Sequence, residues 1–254
     1  EGATTGGVCW TYSPMVDISS DARWGRSREG AGEDPFLGAD MAKAWVRGYQ
    51  GDDLSANNTM MACVKHFALY GASESGRDYN PVDMSRVTAM NYYLEPYKAS
   101  IEAGVGSVMT SFNEFESVPA TGHSWLLKDI LRDAWGFEGF VVSDYTAILE
   151  MVNHGVGDKE AVSLQALKCG VDMDMIADFY SSSLIGLYKS GKVTEAEIDN
   201  ACRRILEAKF DLGLFHNPYQ YCDEERGEKV IFSEANLREA RRIATESYVL
   251  LKND

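Results

Sequence analysis

The chain has 254 residues, 45% hydrophobic and 25% charged, a globular composition long enough for one large domain with its own core. A net charge of −15, with no basic stripe interleaved with aromatics, argues against nucleic-acid binding. The longest apolar runs, Phe140 to Val142 and Tyr248 to Leu251, fall far short of the roughly 20 residues that cross a bilayer, so no membrane span is expected.

Cys9, Cys63, Cys169, Cys202 and Cys222 are odd in number and contain no Cys-x-x-Cys pair, so they read as reduced fillers. Residues Glu1 to Gly7 show neither a positive n-region nor an apolar h-region, and this end of the sequence does not tell the compartment.

In chain order, strand-like runs are expected at Cys9 to Ile18, Met60 to Ala68, Ser107 to Phe112, Gly139 to Asp144 and Val171 to Ile176, each followed by a helical pattern. Asp34-Pro35 has the form of a helix start with Pro at its first position, and Leu37, Met41, Ala44, Trp45 and Gly48 continue it at the 3.6-residue period. Ser85 to Gly104 also reads as helical, but Pro96 removes a donor and crowds the preceding turn, which predicts a kink or two segments. Leu127, Ile130, Leu131, Ala134 and Trp135 mark another helix, with Gly136 as its C-cap. Thr194 and Glu197 make a capping box ahead of Ile198, Ala201, Cys202, Ile205 and Leu206, with Gly213 at the far end.

Strands alternating with helices imply parallel strands joined by crossovers, hence an α/β fold that is either a barrel or a doubly wound sheet. Five such units can be counted where a closed barrel needs eight, so the chain is expected to begin mid-domain. Beyond Leu214, an irregular polar stretch from Phe215 to Gly227 precedes a helix from Ser233 to Ser247. The run Tyr248 to Lys252 then starts like a strand. Residues 1–214 are therefore read as an incomplete α/β domain and 215–254 as a linker into a missing one.

The run Gly139-Phe140-Val141-Val142-Ser143-Asp144-Tyr145 carries the main functional signal, because a buried β-branched strand ends there on a lone carboxylate. Carboxyl ends of barrel strands are where chemistry is built. Arg23, Arg26 and Arg28 follow the first strand, Lys65-His66 ends the second, and Arg77 lies in the loop beyond it. Several cations around one carboxylate keep it ionised, as a nucleophile requires, and the same donors suit sugar hydroxyls. The plainer alternative makes Asp144 a helix cap or a core ion-pair partner.

Neighbouring strand residues point to opposite faces, so Lys65 and His66 enter one pocket only if the backbone departs from regular geometry; otherwise one of them is structural. His123, His154 and His216 form no ligand spacing with His66, and no metal is expected. The glycines at 25, 30 and 32 lack a phosphate-cradle pattern; they let the loop turn and bring backbone near a ligand.

Ser13-Pro14-Met15-Val16-Asp17, Arg23-Trp24-Gly25-Arg26, Gly32-Glu33-Asp34-Pro35, Lys65-His66-Phe67, Trp135-Gly136-Phe137 and Val142-Ser143-Asp144-Tyr145, in this order and spacing, resemble glycoside hydrolase family 3 in its β-glucosidase branch. The resemblance implies a partial (β/α)8 TIM-type barrel lacking roughly its first three units, followed by an α/β sandwich domain missing from this sequence. It implies a retaining, exo-acting hydrolase of terminal β-linked glucose-like residues, with no cofactor, whose covalent glycosyl-enzyme intermediate forms on Asp144. Arg26, Lys65, His66 and Arg77 match sugar-binding positions, and Tyr145, often Trp in relatives, supplies an aromatic wall. In the family the Lys-His peptide is cis, which answers the facing problem. Phe112 stands where some relatives carry Tyr.

The proton donor is usually a Glu of the following domain. The branch that uses an Asp-His pair after Lys-His-Phe is disfavoured by Ala68-Leu69-Tyr70-Gly71-Ala72-Ser73-Glu74. Relatives are commonly periplasmic or secreted. Two rival readings remain: a Schiff-base aldolase acting through Lys65, and a non-catalytic sugar-binding barrel.

Overall fold

A computed structural model describes residues 1–253. Its centre is a parallel sheet in the order β1-β2-β5, from β1 (Cys63–Phe67), β2 (Ser107–Thr110) and β5 (Phe140–Val142), all buried except the half-buried Lys65. A short antiparallel pair, β3 (Glu114–Phe115) with β4 (Val118–Pro119), lies apart from it. Both faces of the sheet are covered at β5, which reads as an unbroken apolar run rather than as alternation.

The two outer runs of the expected five are not regular strands. Residues 9–18 meet the sheet through single parallel bridges, Trp10 to Met61 and Met15 to Lys65. Pro14 has no N–H to give a ladder there. The 171–176 run meets β5 through one bridge, Val142 to Met173, because the N–H groups of Asp172 and Met173 both donate to the Val141 carbonyl, at 2.8 and 3.0 Å, and break the alternation.

The helices follow local signals. In α1 (Pro35–Gln50) the Asp34 side chain accepts from the Leu37 N–H at 2.8 Å and Pro35 opens the helix. Its buried positions Gly38, Ala42, Val46 and Gln50 repeat every four residues and face α3 (Glu95–Glu102). The Gln50 amide ties the sheet at its amino end, accepting from Ala62 and Gly106 N–H at 3.1 and 2.9 Å and donating to the Gly104 carbonyl at 2.8 Å.

The Ser85 to Gly104 pattern divides as expected into α2 (Arg86–Thr88), a wide turn over Ala89–Tyr93, and α3 with Pro96 in its first turn. A helix with the wider π hydrogen-bond spacing covers Trp125–Ala134, and Gly136 beyond it has φ +65°, a left-handed value that costs a β-carbon residue about 1 kcal/mol or more. Then come α4 (Ala147–Asn153), α5 (Lys159–Cys169), α6 (Phe179–Lys189) and α7 (Glu195–Asp211), the last opened by the complete Thr194–Glu197 capping box.

Past residue 214 the structure differs from expectation in two places. The polar stretch contains a helix, α8 (Glu224–Val230), started by the Asp223 side chain on the Arg226 N–H at 2.9 Å. The run Tyr248 to Lys252 is not a strand: its apolar side chains are exposed and no neighbouring strand pairs with it among the described residues. Between them, α9 (Glu234–Glu246) matches the expected helix and buries no residue.

Candidate active site

The carboxyl ends of β1 and β5 lie on one side of the sheet because all its strands run the same way. At the end of β5, Asp144 is 9% exposed. One of its oxygens, Oδ1, accepts from the Tyr145 N–H at 2.6 Å, while Oδ2 is buried without a hydrogen-bond partner among the described residues. The His66 ring lies beside that oxygen, with Nε2 at 3.5 Å. A buried carboxylate oxygen left unpaired is costly, and such groups persist where a ligand or reacting atom completes them.

His66 comes from the end of β1, where the pairing with β2 slips: Val64 faces Val108, but Phe67 faces Thr110, so β1 carries one extra residue. The Lys65–His66 peptide is cis, as is Phe67–Ala68. The backbone thus departs from regular strand geometry where the facing problem demanded it. The Glu29 carboxyl is held below its ordinary range by its hydrogen bonds to Arg26, with smaller contributions from the Lys65 and His66 charges.

The His66 ring is fixed from behind. Its Nδ1 is 2.9 Å from Asp17 Oδ2, and the same oxygen accepts the His66 backbone N–H at 3.0 Å. The Tyr97 hydroxyl lies 2.5 Å from the other Asp17 oxygen and 2.6 Å from the His66 carbonyl. Asp17, His66 and Tyr97 are all buried.

Arg26 makes a two-pronged ion pair with Glu29, both contacts 2.8 Å, and its guanidinium sits 5.8 Å from the centre of the Tyr70 ring. That pairing holds the Arg26 pKa above its usual value and Glu29 below, while burial pushes the Tyr70 phenol up. Beside Arg26, whose guanidinium meets the Tyr70 ring, Met15, Trp24, Tyr70, Phe112 and Ala147 form a small buried apolar cluster. Gly71 closes this wall: a β-carbon there would stand 2.3 Å from the Ile18 carbonyl oxygen, inside any allowed contact.

The sequence-predicted residues fall into two groups. Asp144, His66, Lys65 and Arg26 gather at the carboxyl end of the sheet around Glu29 and Asp17. Tyr145 is 59% exposed beside Asp144, in place to form an open wall. Arg77 is exposed, and among the described residues its side chain makes no hydrogen bond or ion pair with the pocket. Its neighbours do reach the pocket: Asp78 accepts from the buried Trp24 Nε1 at 2.7 Å, and the Tyr79 ring packs 4.9 Å from Phe112.

Asp17, Glu29, Tyr70, Tyr79 and Tyr97 were not singled out from the sequence. Asp17 carried a usable signal, the first polar residue after the apolar Met15-Val16 pair. Tyr97, inside α3, carried none.

A family model for the glycosyl hydrolase family 3 N-terminal domain matches residues 2–208. The chain belongs to glycosyl hydrolase family 3. It is 48% identical over 99% of its length to a periplasmic β-glucosidase of Salmonella typhimurium, and 37% identical over 98% to a β-xylosidase of Formosa agariphila. Among solved structures, the β-glucosidase of Listeria innocua in complex with glucose superposes with a TM-score of 0.95 at 42% identity, over 99% of this chain. The family 3 chain spans 33% of the Salmonella protein, 36% of the Formosa protein and 35% of the Listeria one.

Proposed function

We propose that this family 3 chain carries the nucleophile and the principal sugar subsite of a retaining, exo-acting β-glycosidase that removes terminal glucose-like residues. The observation that carries the reading is the unpaired Oδ2 of Asp144, buried 3.5 Å from His66 Nε2. Asp144 attacks the anomeric carbon of the terminal sugar, the glycosidic C–O bond breaks, and the leaving oxygen takes a proton from a second carboxyl group. Water then attacks the ester-linked sugar, that second group accepts the water proton, and Asp144 is freed. Arg26, Lys65 and His66 hold sugar hydroxyls in this arrangement; Arg77 and Tyr145 bound the mouth.

Three carboxylates near Asp144 already have partners. Asp17 is committed to His66 and Tyr97, Glu29 to Arg26, and Asp78 to Trp24. We place the acid/base in a further α/β domain of the same polypeptide, consistent with relatives three times as long, and regard the β1-β2-β5 sheet as part of a (β/α)8 barrel whose remaining units also lie outside this chain. By the same likeness to the Salmonella protein the enzyme is proposed to act outside the cytoplasm. The family assignment lends nothing to an aldolase acting through Lys65 or to a non-catalytic barrel.

The test uses the full-length enzyme with an aryl β-glucoside. Asp144→Ala abolishes turnover, and added azide restores release of the aryl group with formation of an α-glucosyl azide, because azide occupies the place of the lost carboxylate. Undiminished turnover by Asp144→Ala contradicts the reading.

A further inference from the structure

We propose that Asp17 and Tyr97 are positioning residues for His66, holding its imidazole so that Nδ1–H is turned into the protein and Nε2 alone faces Asp144 and the bound sugar. The inference rests on the nucleophile reading of Asp144 and adds to it a buried device that neither touches substrate nor belongs to the cation set.

The geometry is specific. Asp17 Oδ2 accepts the backbone N–H of His66 at 3.0 Å and meets Nδ1 at 2.9 Å, so a single oxygen fixes both the peptide and the ring of the same residue. A carboxylate oxygen offers only lone pairs, which places the hydrogen of that ring contact on Nδ1. The Asp17 and His66 side chains are each 1% exposed, so no water competes for the contact.

Tyr97 closes the unit from α3. Its hydroxyl is within hydrogen-bond distance of Asp17 Oδ1 and of the His66 carbonyl, joining the two residues that the ring contact already joins. Its ring packs edge-on against Phe67 at 5.3 Å, which anchors the hydroxyl independently of the site. The imidazole itself is braced on its other side by Tyr70, 5.2 Å away between ring centres. With the back of the ring held at Nδ1 and its face held by Tyr70, rotation that would withdraw Nε2 from Asp144 breaks at least one buried contact. A carboxylate behind a functional histidine commonly serves this orienting purpose, and behind a metal-ligating histidine its loss typically costs about 10- to 100-fold.

The two substitutions at Asp17 separate orientation from bulk. In Asp17→Asn the amide oxygen still accepts both His66 N–H groups, and the amide NH2 donates to the Tyr97 oxygen, whose own hydrogen goes to the His66 carbonyl. In Asp17→Ala every one of these contacts is lost.

The experiment is a double-mutant cycle in the full-length enzyme with para-nitrophenyl β-D-glucopyranoside, together with proton NMR of the imidazole N–H. Asp17→Ala is expected to lower kcat/KM by about 10- to 100-fold and to have no further effect once His66 is Ala, while Asp17→Asn restores most of the rate. The downfield N–H resonance that disappears in His66→Ala is expected to disappear in Asp17→Ala and to persist in Asp17→Asn. Should Asp17→Ala not fold, Tyr97→Phe, which keeps the ring packing, takes its place in the cycle with a smaller loss that also vanishes in the His66→Ala background.

Losses at Asp17 and His66 that simply multiply overturn the proposal, as does a melting-temperature drop with kcat/KM per folded molecule unchanged. Asp144→Ala serves as the control. An active Asp144→Ala enzyme defeats the nucleophile reading, whereas an inactive one alongside multiplying losses defeats only the positioning role of Asp17 and Tyr97.

Discussion

Two buried carboxylates flank β5, one following it in sequence and one bonded to its backbone, and have opposite surroundings. Asp172, at the start of the 171–176 run, has both oxygens engaged: Oδ2 accepts from the Val141 N–H at 2.8 Å and from Arg132 at 2.9 Å, and Oδ1 from Arg204 at 2.7 Å. Asp144 has one oxygen satisfied only by the next peptide N–H and the other unpaired. Burial opposes charge on both sides of the Asp172 cluster, raising the aspartate pKa and lowering that of Arg132 to about 10, yet geometry compensates with three donors. A saturated carboxylate of this kind is a fastener, tying β5 to the Trp125–Ala134 helix and to α7. An unsaturated one is free of that structural duty, as the proposed nucleophile role requires.

The contrast predicts that the two positions fail in opposite ways. Asp144→Ala in the full-length enzyme should lower kcat by roughly 10⁴-fold or more and leave the melting temperature unchanged or slightly raised. Asp172→Ala should do the reverse, destabilising by about 3 to 5 kcal/mol because Arg132 is left buried and uncompensated, with activity per folded molecule retained. Thermal melts paired with initial rates check both, and a strongly destabilised Asp144→Ala or an unaffected Asp172→Ala breaks the contrast.

The next effect in size concerns the proton donor. The chain of 254 residues on its own should hydrolyse aryl β-glucosides about 10²- to 10⁴-fold more slowly than the full-length enzyme, the usual worth of general acid catalysis. Robust turnover by this chain alone places the acid among its own residues.

A smaller effect sharpens the comparison at Arg26. The Glu29 carboxyl is lowered by its hydrogen bonds to Arg26, so its stabilising contribution is present above the unfolded carboxylate pKa and is lost as pH falls through the folded value. With the Glu29 side chain 42% exposed, solvent screening limits this to about 0.2–1 kcal/mol. Glu29→Gln should therefore cost that much near neutral pH and nothing in strong acid, as followed by denaturant unfolding across pH. Last, burial pushes the Cys63 thiol up to about 12, so at pH 8 a thiol reagent should label the exposed Cys202 and Cys222 and leave Cys63 untouched in the folded protein.

What the sequence disclosed and what it withheld follow from the range of the forces involved. Capping at Asp34 and Thr194, the divided helix around Pro96 and the left-handed Gly136 are local effects written within a few residues, and they read directly. The outer runs at 9–18 and 171–176 were read as strands from their apolar patterning; Pro14 and the doubled bonding at Val141 spoil the ladder in ways periodicity does not register. Asp144, Lys65, His66 and Arg26 were singled out as charged residues at or after strand-like runs. The brace behind His66 was not, since Asp17 and Tyr97 lie 49 and 31 residues from it and meet it only after the sheet and α3 have packed.

In the proposed reaction the unpaired oxygen of Asp144 bonds to the anomeric carbon during turnover. This step is tested most directly by inactivating the full-length enzyme with a deoxyfluoro glucoside bearing a good leaving group and mapping the labelled peptide by mass spectrometry. The expected result is one fluoro-sugar on the peptide carrying Val142-Ser143-Asp144-Tyr145, with fragmentation placing the ester on Asp144. A label on any other residue, or time-dependent inactivation with no covalent sugar, contradicts the account.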